Sequence, residues 1–182
     1  MSSISRPSLA VWLPGFCYLS EWGLLTFLPF SPKLTPVLGL LWACAQIGLL
    51  AFLLFVRREQ LDGRSNVRII GQVIALLGVL SYLANPLTVA LGLKLRFLLP
   101  AGALFSAIGF TIIGVNIARA RRLAGGWRYS ILGAGLYPFA VMFPVLLLTG
   151  HPNTHAIMLW GLPWLIVAYG VSSQAQAINS EK

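Results

Sequence analysis

Residues 34–58, LTPVLGLLWACAQIGLLAFLLFVRR, decide the fold. From Leu34 to Val56 no charged side chain interrupts the run, and Arg57 and Arg58 end it. A helix of this length is roughly 34 Å long at about 1.5 Å per residue, and a bilayer hydrocarbon core is about 30 Å thick. In lipid a backbone has to satisfy its own hydrogen bonds, so only helices and closed barrels cross. A barrel strand would alternate apolar and polar residues, whereas this run is continuously apolar. It is read as a transmembrane α-helix.

The pattern recurs outward from this run. Spans are expected at residues 9–29, 34–56, 69–91, 97–117, 129–148 and 155–171. Of the 182 residues, 58% are hydrophobic and 9% charged, against about 25% charged in soluble domains. So little charge cannot coat a globular core in water. The expectation is an all-α polytopic transmembrane helix bundle with six spans, forming one domain over residues 1–182. The first run is read as a retained span, because Pro14 and Glu21 interrupt it and no small-residue cleavage site follows. The polar tail from Ser172 to Lys182 is expected to fray.

Basic residues set the orientation, since cytoplasmic loops carry the excess of Lys and Arg. With the N-terminus inside, Arg6, the four arginines of residues 57–68, the four of residues 119–128 and Lys182 lie inside. Lys33, Lys94 and Arg96 lie outside. Ten against three predicts both termini in the cytoplasm. This placement also accounts for the net charge of +9, so nucleic acid is not an expected partner. Prolines segregate the other way: Pro29, Pro32, Pro36, Pro86, Pro100, Pro144, Pro152 and Pro163 fall in the outer half. Three prolines too deep to start or end a helix, Pro86, Pro138 and Pro144, predict kinks, because a proline frees the carbonyl four residues earlier.

Glu21 is the costly residue. It lies near the middle of the first span, where an acidic side chain costs about 2.5–3.5 kcal/mol on insertion scales. It must be protonated, paired or turned to a polar cavity. Gln46, Gln72 and Asn85 are the candidates to share a polar intramembrane site with it, and Lys94 and Arg96 are candidate charge partners from the outer side. Trp22, Trp42, Trp160 and Trp164 are candidate contacts for an apolar ligand, with core packing as the simpler role. Asn116 sits near the inner boundary, where it would reach water. Gly71, Ala75, Gly78, Gly133, Ala134 and Gly135 read as small residues that let helices approach.

Cys17 and Cys44 lie inside apolar runs without a CxxC spacing and read as small hydrophobes. His151 and His155 are four apart, but Pro152 breaks the intervening turn and no third ligand is visible. No metal or other cofactor is expected. No phosphate loop, nucleophile elbow or paired intramembrane carboxylate appears, so catalysis is not the leading expectation. The leading one is a transporter-like or accessory membrane subunit with its polar site at Glu21. The alternatives are a membrane enzyme acting on a lipid or isoprenoid, with Glu21 as acid or base, and a structural subunit that binds pigment or lipid. The expected partners are the lipid bilayer and either a larger membrane complex or further copies of the chain.

The segment Arg119-Ala120-Arg121-Arg122 with Gly125-Gly126-Trp127, then Gly133-Ala134-Gly135, Leu159-Trp160-Gly161-Leu162 and Tyr169-Gly170, carries a resemblance. Over residues 97–171 the chain is similar to uncharacterised small multi-pass bacterial inner-membrane proteins. The resemblance implies a bacterial inner membrane and transfers no site residues.

Overall fold

The computed structural model describes residues 9–29, 31–63, 66–93, 95 and 97–180. Those residues are helical, with no strand among them. A 3-10 turn, Leu9–Trp12, leads into α1 (Leu13–Phe27). Then come α2 (Thr35–Glu59), α3 (Asn66–Ala90) and α4 (Leu98–Ala120). After the 3-10 turn Gly125–Tyr129, α5 (Ser130–Tyr137) passes through a π-helical segment, Pro138–Met142, into α6 (Phe143–Thr149). The chain ends in α7 (Thr154–Met158) and α8 (Gly161–Ser180).

Five stretches are long and apolar enough to cross a membrane: Thr35–Glu59, Asn66–Pro86, Leu98–Ala120, Gly125–Thr149 and Thr154–Gln176. The Leu9–Phe27 stretch is not one of them, its α-helix being 15 residues long. Many large apolar side chains point outward, among them Ile47, Leu54, Leu77 and Ile166. In water such a surface would aggregate; against acyl chains it is solvated.

Small residues set the packing. Gly71 meets Ile112, Ala75 meets Gly109, Gly78 meets Ser106 and Tyr82 meets Gly102. The numbers rise on α3 as they fall on α4, so the two helices are antiparallel and nearly backbone to backbone. Gly114 against Leu132 and Gly135 against Thr111 do the same for α4 and α5. Gly15 lies against Leu165, and Gly161 against Tyr18 and Leu19, which seats α8 antiparallel to α1. Gly133 differs from its expected role, because a methyl there would meet nothing within 4 Å. These contacts close a ring in the order α1, α2, α3, α4, α5, α8.

An aromatic core fills the ring. Trp164 sits edge-on to Phe110 (4.8 Å between ring centroids), Phe52 (5.2 Å) and Trp160 (5.8 Å). Such edge-to-face pairs set the positive ring edge against the negative face. A π segment begins at Pro138. Pro138 has no N–H for Ala134 O four residues back. The Trp160 indole, from the other side of the core, donates to that oxygen at 2.7 Å. Pro86 lies inside α3, which runs on to Ala90.

The chain end also departs from expectation. α8 continues to Ser180 instead of fraying from Ser172. Val171 and Ala175 are buried, and Gln174 Oε1 accepts from Ala124 N at 3.2 Å, which ties the last turns to the α4–α5 loop. Asn116, expected to reach water, is buried, and its Nδ2 has no partner among the described residues.

Candidate functional site

The arginine-bearing loops lie at one end of the bundle and most prolines at the other. Two polar groupings are buried, one toward each end.

The first is built on α1. Tyr18 and Glu21 are three residues apart, so they share a helix face, and that face turns inward. Tyr18 is fully buried and Glu21 is 6% exposed. Gln46 of α2, also fully buried, donates from Nε2 to the Tyr18 hydroxyl at 2.7 Å. Gln46 Oε1 and Glu21 Oε2 have no hydrogen-bond partner among the described residues. Glu21 lies six residues beyond Gly15, about 9 Å along the helix, in the proline-rich half of the bundle.

Aromatic rings connect this grouping to a cavity. Trp42 stands edge-on to Tyr18 (5.7 Å, 77°) and, on its other side, to Tyr82 (5.3 Å, 87°). Trp42 and Tyr82 form one wall of a cavity of about 340 Å³. Pro100 and Ala103 of α4, Met142 and Phe143 beside the π segment, and Ile157 of α7 form much of the rest. Asn153 is its polar rim, fixed as the N-cap of α7 by accepting from Ala156 N at 3.1 Å. This is an apolar chamber with few polar groups, backed by a buried tyrosine, amide and carboxyl.

The second grouping lies at the arginine-rich end. Asp62, 2% exposed, follows the left-handed turn at Gln60 that closes α2. Gln72 Nε2 donates to Asp62 Oδ2 at 2.8 Å, and Arg68 Nε lies 4.0 Å from Asp62 Oδ1. Arg68 Nη1 also donates to Gly63 O at 2.9 Å. Burial pushes the Asp62 carboxyl above its ordinary value, and the Gln72 bond and the Arg68 charge pull against that rise.

The expected polar site is therefore split. Glu21 and Gln46 come together around Tyr18, while Gln72 is drawn to Asp62 instead. Asn85 lies three residues past Tyr82 on α3, its carbonyl accepting from Thr88 Oγ1 at 2.9 Å. Lys94 and Arg96 lie outside the described residues. Trp160 and Trp164 belong to the aromatic core, Trp42 walls the cavity, and Trp22 meets Phe27 near the end of α1 (6.2 Å). The sequence reading missed Tyr18, Tyr82 and Asp62. A mid-span tyrosine was the available signal, because a buried Tyr O–H seeks a partner as an amide does. Cys17 and Cys44 are free thiols. Among the described residues no three metal-ligating side chains converge. Comparison with protein-family models, with curated proteins and with solved structures finds no match to this chain.

Proposed function

We propose that this chain is a six-span integral protein of a bacterial inner membrane, with both termini in the cytoplasm, that binds a lipid-like apolar molecule without transforming it. The cavity behind Trp42 and Tyr82 carries the binding reading. Its volume of about 340 Å³ is in the range of small-molecule pockets, which are mostly apolar with a few placed polar groups. The test is mass spectrometry of organic extracts from detergent-purified protein. The native chain is expected to retain an apolar species, and Ala103→Trp, which fills the chamber, is expected to lose it. A native preparation free of any such species, or one whose retained species survives Ala103→Trp, refutes the reading.

The six-span topology rests on the Leu9–Phe27 stretch lying antiparallel to α2 and α8, and on the arginine distribution. Cysteine labelling in a Cys17→Ser, Cys44→Ser background checks it. A cysteine at Gly125 is expected to react from the cytoplasmic side alone, and one at His151 from the outer side alone. Labelling of both from the same side removes the topology.

One observation favours a second reading. A carboxyl oxygen of Glu21, buried and without a partner, suits a proton- or cation-binding site in a transporter-like subunit. Proteoliposomes are then expected to show pH-dependent proton flux that Glu21→Gln abolishes. Equal flux with and without the carboxyl assigns Glu21 to structure.

A further inference from the structure

α2 and α3 follow one another in the chain, yet they meet far less closely than α3 and α4 do. Between them runs a groove of about 350 Å³. Leu50, Leu53 and Leu54 of α2 face Ile69, Val73 and Leu76 of α3 across it. Arg57, Arg68 and Gln72 also line it, toward the α2–α3 turn, so its polar groups concentrate at one end. From Arg57 to Leu50, and from Arg68 to Leu76, the walls run about 11–12 Å along each helix at about 1.5 Å per residue. That covers most of one leaflet of a ~30 Å hydrocarbon core.

The two guanidinium groups differ in freedom. Arg57 is exposed in the last turn of α2. Arg68 is anchored by its bond to Gly63 O, and its Nε has no hydrogen-bond acceptor among the described residues. Asp62, its side chain fully buried and held by Gln72, pairs with Arg68 at 4.0 Å, so among the described residues the unpaired positive charge at this end of the groove is that of Arg57. Glu59 lies 4.0 Å from the neighbouring Arg58. Positive charge therefore caps an apolar channel at the depth of a headgroup, and guanidinium groups match phosphate geometry.

We infer that this groove holds an acyl chain of an anionic phospholipid, with the lipid phosphate between Arg57 and Arg68. A soluble phosphate would use the arginines and leave the apolar walls without a role. The inference requires that α2 and α3 cross a bilayer and does not depend on the cavity behind Trp42.

Native mass spectrometry of the full chain, titrated with dioleoyl phosphatidylglycerol or dioleoyl phosphatidylcholine, tests it. The native protein is expected to prefer phosphatidylglycerol at least about fivefold, and Arg57→Gln to remove about fivefold of that preference. Val73→Trp, which narrows the channel and leaves both arginines in place, is expected to lower binding of both lipids. Ala103→Trp is expected to leave the preference unchanged, which separates this site from the other cavity. Equal binding of the two lipids by the native protein overturns the inference, as does a preference that survives Arg57→Gln. Full competition by inorganic phosphate, together with indifference to Val73→Trp, assigns the arginines to a soluble anion and overturns it as well.

Discussion

Trp160→Phe is expected to destabilise the protein by about 2 kcal/mol, while the same change at Trp164 costs clearly less. The two indoles are neighbours in one core and both are buried, so loss of ring volume is similar. Their N–H groups differ. Trp160 Nε1 donates to Ala134 O at 2.7 Å, whereas Trp164 Nε1 has no partner among the described residues. Removing the first strands a buried carbonyl, which costs about 1–3 kcal/mol. Removing the second discards a donor that was already unsatisfied. A double-mutant cycle isolates the cause. Pro138→Ala restores a backbone N–H four residues after Ala134, so Trp160→Phe should cost less in that background. Thermal or denaturant unfolding in mild detergent measures all four corners, and purely additive effects would sink the explanation.

Gly109→Ala is expected to cost about 1–3 kcal/mol, the range for an overpacked interior. A methyl there would overlap the backbone and Cβ of Ala75, neither of which can swing aside. α3 and α4 would have to separate along their closest approach. Gly133→Ala is the paired control. Nothing lies within 4 Å of the added carbon, and alanine is favoured over glycine in a helix by about 1 kcal/mol, so this change should be neutral or stabilising. Equal behaviour of the two variants in the same unfolding measurement would show that α3 and α4 are not packed backbone to backbone.

The sequence reading placed the long spans within a few residues, because continuous apolar runs bounded by Arg57, Arg119 or Gly150 leave a backbone little choice. Thr35–Glu59 and Leu98–Ala120 match the expected 34–56 and 97–117 with an extra turn at the arginine ends. The first run was harder to read. Pro14, Gly15 and Glu21 dilute it, and a 3-10 turn supplies its opening residues. The candidate site was only half legible. Helices that are apolar on every side carry no directional stripe, so sequence cannot say which face turns inward or which helices are neighbours. Gln46 reached Tyr18 because α1 and α2 pack directly. Gln72 was grouped with Glu21 on polarity alone, yet it sits near the start of α3 beside Asp62.

The π segment at Pro138–Met142 has a further consequence for inheritance. A π turn absorbs one residue more than an α turn would over the same path. Each residue in an α-helix advances the azimuth by about 100°, so everything after the bulge is out of phase with everything before it. Met142, the last residue of the π segment, and Phe143, the first of α6, both line the cavity. The shape of the chamber is thus encoded in residue count. Loss of a single codon in this stretch would turn both side chains to a new bearing while leaving the composition of the span almost untouched.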